Sequence, residues 1–166
     1  EDTVEDMEAT LETLLMLART EQRQPDSEDV IVNDLAVNLM ERLSPLADRK
    51  QIRLQVRQTA LLTVHSPEVA LTIVLTNLVR NAINYSGSGD VTILVAEKTV
   101  HVVDYGAGMD ADELARILKP FERGQSQEAG HGLGLAIVQR LCERYHWHLM
   151  VTSAPGRGTE VAIRFS

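Results

Sequence analysis

Apolar residues recur at alternating steps of three and four through the opening of the chain: Val4, Met7, Leu11, Leu14 and Ala18. That spacing keeps one side of an α-helix apolar and marks a seam between helices, although a surface helix lying on its own domain shows the same pattern. The acidic, loop-like stretch EQRQPDSED follows directly. It favours packing on a partner, and the expectation is the seam of a dimeric helical bundle. The pattern is already under way at the first residue, as expected of a segment of a longer chain. The organisation read from it is a bundle helix over 1–22, a linker over 23–28 and one domain over 29–166.

Beyond the linker the period changes repeatedly. VIV reads as a short strand, and residues 33–49 as a helix with Leu35, Leu39, Leu43 and Leu46 on one side and Asn33 as its N-cap. QIRLQVR alternates as a strand does. Ser66 and Pro67 open a long helix to about Tyr85, a cap followed by proline at the first helical position. DVTILVAEKTVHVVD predicts a β-hairpin turned at Glu97 and Lys98, and a short helix is expected over 111–118. A helix following the glycines of GHGLGL runs to about Tyr145. WHLMVTS and TEVAIRF form two closing strands joined by APGRG. The fold class is therefore α/β, a two-layer sandwich of a mixed sheet covered on one face by helices and preceded by an N-terminal helix.

Composition narrows the partners. The chain has 166 residues, 44% apolar and 24% charged, enough for a real core, and its net charge of −8 argues against nucleic acid, whose phosphates attract Lys and Arg. Aromatics are scarce at 4%, so aliphatic side chains must fill that core. The single cysteine, Cys142, lies on the apolar face of the last helix, where it is expected as core and not as a nucleophile. No apolar run approaches the roughly 20 residues that cross a bilayer.

Four stretches carry candidate chemistry. In LTNLVRNAINYS, Asn77, Asn81 and Asn84 share one helical stripe among apolar neighbours, a pattern that fits a polar cavity and equally a solvated face. In VVDYGAGMD, Asp104 ends an apolar strand and meets Gly106 and Gly108. A carboxylate there can accept from a ligand amino group while the glycines let the ligand approach the backbone; an ordinary turn has the same letters. GHGLGL places three glycines at the mouth of a helix, whose free N–H groups and partial positive charge suit phosphate. It lacks the Gly-Lys-Ser/Thr ending of a Walker loop, and no strand precedes it as a dinucleotide fingerprint requires. LKPFERGQSQEAG fits a mobile lid with Phe121 as anchor and Arg123 as the nearest positive charge, or a plain surface loop.

Taken in order, NLVRNAINYS, DYGAGM, KPFERG, GHGLGLAIV and the late GRGT resemble the ATP-binding domain of sensor histidine kinases, within the GHKL ATPase superfamily, over about residues 29–166. The opening helix ending LLMLAR resembles the second helix of that family's dimerisation and phosphotransfer bundle. The resemblance implies ATP and Mg²⁺ as ligands. Asn81, helped by Asn77, would hold Mg²⁺ through a side-chain carbonyl oxygen, and Gln125 would reach the same ion. Asp104 would accept from the adenine amino group, supported by Thr159, with Tyr85, Gly106, Gly108 and Met109 around the nucleotide. Gly132, Leu133, Gly134 and Leu135 would pass the triphosphate, and Arg123 would act on the γ-phosphate as the catalytic residue. Asn84 stands where many relatives carry Lys or Arg for phosphate.

The implied activity is phosphoryl transfer to a histidine on the bundle of a homodimer, with a response regulator receiver domain downstream. The domain would be cytoplasmic, in a protein anchored in the bacterial inner membrane. Gyrase and MutL-type relatives keep a water-activating glutamate where this chain has neutral Asn77, which argues against hydrolysis. A GHKL-type ATPase or a nucleotide-binding regulatory module without transfer is the alternative. None of the five histidines (His65, His101, His131, His146 and His148) precedes an acidic residue, as the family's phosphoacceptor does.

Overall fold

A computed structural model describes residues 26–87, 89–118 and 129–165, the last span with side chains from Leu135 onward. The expected bundle helix and most of the linker lie outside the described residues, as do Phe121, Arg123 and Gln125 of the expected lid.

The elements follow in the order β1 (Glu28–Ile31), α1 (Val32–Arg49), β2 (Ile52–Gln58), β3 (Thr63–Ser66), α2 (Glu68–Tyr85), β4 (Gly89–Ala96), β5 (Thr99–Asp104), α3 (Ala111–Leu118), α4 (Ala129–Tyr145), β6 (His148–Ser153) and β7 (Thr159–Arg164). Five strands make a mixed sheet in the order β2-β4-β5-β7-β6; β2 and β4 are parallel and the other neighbours antiparallel. β1 and β3 form a separate antiparallel pair. Helix α1 lies on β2 and β4, α2 on β4 and β5, and α4 packs beside α2 and against β6. This is the expected sandwich.

Period two on the strands builds the core. Val91, Ile93 and Val95 of β4 stand opposite Asp104, Val102 and Val100 of β5, and that row faces the helices. Asp104 is thus the last member of a buried valine row. α2 touches the sheet and two helices, so Leu71, Val74, Leu75, Val79 and Ile83 are all fully buried and no residue from Val69 to Tyr85 is more than partly exposed. Its asparagines are conspicuous for that reason. Three of the six aromatics gather at the far end, where Trp147 stacks on Tyr145 at 5.2 Å and meets the edge of Phe165 at 5.3 Å. Cys142 is a buried free thiol, pushed up to about 12 by desolvation and by Glu143, and sits in the core as expected.

Four local expectations fail for physical reasons. Asn33 does not cap α1: the helix begins at Val32, and the Asn33 amide serves the distant β2–β3 connection. Its Oδ1 accepts from Leu62 N–H at 2.8 Å, and its Nδ2 donates to Ala60 O and Gln58 Oε1 at 2.8 and 2.9 Å. These bonds satisfy loop backbone groups that burial would otherwise leave unpaired. Ser66 does not cap α2. It ends strand β3, its hydroxyl donates to Pro67 O at 3.0 Å, and Pro67 occupies the cap position, one residue later than expected. Strand β3 itself was not expected; it is four residues long, and its pairing comes from β1, remote in sequence. Finally, α4 begins at Ala129, so Gly130, Gly132 and Gly134 lie within the helix and not before it.

Candidate nucleotide site

The site is assembled where β5 ends. Asp104 faces the helices from the core row, and burial pushes its carboxyl above the ordinary 3.8, while the backbone N–H groups of Gly106 and Thr159 pull the other way. The Gly106 N–H donates to Asp104 Oδ1 at 3.0 Å, and Thr159 is the register partner of Asp104 on β7. The expected support of Asp104 by Thr159 is therefore a backbone contact. A carboxylate held rigidly by two N–H groups, with desolvation opposing its charge, is a strong acceptor for a donor brought by a ligand.

Three glycines let backbones meet around it. A Cβ on Gly106 would lie 2.2 Å from Tyr85 O and 3.0 Å from Ser86 Cα, so the turn after Asp104 rests directly on the end of α2. A Cβ on Gly108 would meet Ala154 O, and one on Gly158 would lie 2.2 Å from Asp104 O. Gly156 N–H donates to Ala107 O at 2.7 Å, and Met109 N–H to Ser153 Oγ at 2.8 Å. The 105–110 loop is thus laid upon the β6–β7 turn. Tyr85, Asp104, Gly106, Gly108, Met109 and Thr159 thus lie around one turn of the chain.

The asparagine stripe runs up to this point along α2. Asn77 donates from Nδ2 to Ile73 O at 2.7 Å. A carbonyl acceptor fixes which end of the amide faces the helix, so the Asn77 oxygen is turned away from its own backbone. Asn81 is half-buried one turn before Tyr85. Asn84 Oδ1 and Ser86 Oγ are buried with no hydrogen-bond partner among the described residues. Orphaned polar atoms at the end of a buried helix are costly in a core and ordinary in a site built for a polar ligand.

Helix α4 supplies the glycine segment. Its first four N–H groups, from Ala129 to Gly132, have no acceptor within the helix, whereas those of Leu133, Gly134 and Leu135 fall in register with the carbonyls four residues before them. Of the four residues expected to pass phosphates, Gly132 alone retains a free helical N–H position in this arrangement. Glycine is a poor helix former, by roughly 1 kcal/mol each, so these three weaken the first turns of the helix.

Sequence reasoning missed Ser153 and Ser86, since a lone serine at a strand or helix end carries no pattern. None of the four histidines with described side chains hydrogen-bonds to Asp104 in the described contacts. His65 pairs with Asp29 at 2.9 Å on the β1–β3 pair, His101 lies 3.6 Å from Glu160, and His146 and His148 flank the junction of α4 and β6. Among the described residues no cluster of three His, Cys, Asp or Glu could hold a metal, and no described helix is long and apolar enough to cross a membrane.

Comparison with known proteins agrees with this geometry. Residues 66–166 match the family described as histidine kinase-, DNA gyrase B- and HSP90-like ATPases. Over 96% of its length the chain is 30% identical to the phosphate regulon sensor protein PhoR of Pseudomonas aeruginosa, of which it covers 39%. Over 95% it is 31% identical to the sensor-like histidine kinase SenX3 of Mycobacterium tuberculosis, covering 40% of that protein. The chain thus spans about two fifths of these curated relatives. Full-length ShkA, solved with AMPPNP, superposes over 95% of the chain and 35% of its own with a TM-score of 0.78 at 28% identity. The catalytic domain of the histidine kinase ThkA superposes over 84% of the chain and 97% of its own with a TM-score of 0.72; at 21% identity this is a likeness of fold.

Proposed function

The chain belongs to the family of histidine kinase-, DNA gyrase B- and HSP90-like ATPases and carries the ATP-binding catalytic domain of a sensor histidine kinase, and from that premise we propose how its own residues bind Mg-ATP and deliver the γ-phosphoryl group to a histidine on a dimerisation bundle. The observation that carries the reading is Asp104: a buried carboxylate, fixed by two backbone N–H groups, beside backbone that only glycine permits. Its free acceptor capacity suits the adenine amino group. Tyr85, Gly106, Gly108 and Met109 surround the base, and Thr159 holds Asp104 in place.

The amide stripe fits the metal. Mg²⁺ is a hard ion that takes oxygen ligands and neutralises phosphate charge when bound. Asn81 and Asn77 offer side-chain carbonyl oxygens, and the Asn77 amide nitrogen is already committed to its own helix. Gln125 completes this proposal from the sequence. The N–H groups opening α4 would receive phosphate oxygens as Gly132, Leu133, Gly134 and Leu135 unwind, and Arg123 would stabilise charge on the transferring group. Neutral Asn77 is a poor base for water, which favours transfer to a protein over hydrolysis. The parent is proposed to be a homodimer, anchored in the bacterial inner membrane with this domain on the cytoplasmic side, serving a response regulator receiver domain.

The test is incubation with γ-labelled ATP. The expected outcome is no acid-labile label on the chain alone and little free phosphate, because none of its five histidines has the context of an acceptor. Label should appear on a separately supplied histidine-bearing bundle, weakly because proximity is no longer built in, and Asn81→Ala should remove it. Steady phosphate release that Asn77→Ala abolishes would point to hydrolysis instead.

A further inference from the structure

Ser153 is the last residue of β6, and its hydroxyl is fully used. It accepts from Met109 N–H at 2.8 Å and donates to Gly158 O at 3.0 Å. Thr159 Oγ1 is 2.8 Å away. Since the single Ser153 proton is committed to Gly158 O, the Thr159 hydroxyl must be the donor in that third bond. One side chain therefore joins the 105–110 loop, the β6–β7 turn and the strand whose first residue pairs with Asp104.

A backbone bond and a close approach also join this loop to the β6–β7 turn. Gly156 N–H reaches Ala107 O at 2.7 Å, and Gly108, with φ +73°, leaves no room between its Cα and Ala154 O for any side chain. Asp104 has independent supports, the β5–β7 register and the Gly106 N–H. Met109, half-buried and five residues beyond Asp104, takes its backbone bond from the Ser153 hydroxyl.

We propose that Ser153 is a positioning residue for nucleotide binding: it fixes the 105–110 loop against the β6–β7 turn, so that the loop is preorganised over the nucleotide without itself reading the base. The inference rests on the nucleotide-binding reading and adds to it a division of labour. Asp104 selects adenine, and Ser153 lowers the ordering cost of the loop that covers it.

Two measurements test this on the chain as it stands. In ATP titrations, Ser153→Ala should bind roughly tenfold more weakly, the cost of one satisfied hydrogen bond and some loop order. Its preference for ATP over GTP should be unchanged, and Ser153→Thr, which keeps the hydroxyl, should restore affinity. Unchanged affinity in Ser153→Ala, a lost base preference, or failure of Ser153→Thr to rescue would each overturn the proposal. Amide hydrogen exchange without nucleotide separates it from the broader reading. The Met109 amide should exchange faster in Ser153→Ala and at the native rate in Ser153→Thr. Native exchange in both variants sinks the positioning role even if ATP binds, while wild-type chain that binds no ATP sinks the nucleotide reading and leaves the exchange result to decide on Ser153.

Discussion

Asp104→Asn is expected to lose ATP affinity by about 30-fold or more while the chain stays folded. In the native site the carboxylate accepts from Gly106 and Thr159 and keeps acceptor capacity for the ligand. An asparagine must turn its one oxygen to those backbone N–H groups. Its NH₂ then faces the adenine amino group, donor against donor. Losing a charge-assisted bond and gaining that conflict costs about 2–3 kcal/mol. Stability should move little, because two effects oppose each other. The raised carboxyl value means that the native state holds the proton more tightly than the unfolded chain does. That contribution is full below about 3.8 and is lost as pH rises through the native value. At neutral pH the ionised form is therefore a burden on the fold, which the amide relieves while weakening two hydrogen bonds. Calorimetric titration with ATP and a thermal melt check the two halves; unchanged affinity would remove Asp104 from the site.

Gly158→Ala is expected, like Gly108→Ala, to be among the most costly single methyls that could be added near the site. Gly158 has φ +72°, in the left-handed region, which costs an L-residue about 1–2 kcal/mol. The new Cβ would also lie 2.2 Å from Asp104 O and 2.9 Å from Tyr105 Cα, and both are backbone atoms that cannot step aside. Either β7 separates from β5 at its first pair, or the 105–110 loop lifts. A loss of at least about 3 kcal/mol in urea unfolding is expected, with ATP affinity falling in the surviving folded fraction. A melting temperature equal to wild type would show that this close approach is not obligatory.

The parts of the fold that repeat were legible in the sequence. Leu39, Leu43 and Leu46 gave α1 its buried side, and alternation through VTILVAEKTVHVV gave both strands and the Glu97–Lys98 turn, where Lys98 has φ 61°. Asp104 was legible because a charged residue ending a valine row breaks a period, and the glycines beside it because they recur at short spacing. What stayed hidden depends on contacts distant in sequence. Strand β3 is four residues completed by β1, and Asn33 serves a loop that follows the next strand. At Asn33 the local rule for a helix cap gave way to unpaired groups on a buried loop, which no window of sequence around that residue contains. The start of α4 was misplaced for the opposite reason: a run of glycines reads as loop, yet helical hydrogen bonds hold it once Val138 and Leu141 are buried beside α2. Ser153 gave no signal because its three partners lie on two other segments and on its own turn.

The most direct measurement of the central claim is calorimetric titration of the unmodified chain with ATP, repeated without Mg²⁺ and with GTP. The account predicts one ATP per chain, tighter binding when Mg²⁺ is present, and markedly weaker binding of GTP, whose carbonyl at the position of the adenine amino group meets the Asp104 carboxylate acceptor to acceptor. No binding at millimolar ATP, or equal affinity for ATP and GTP, would contradict it.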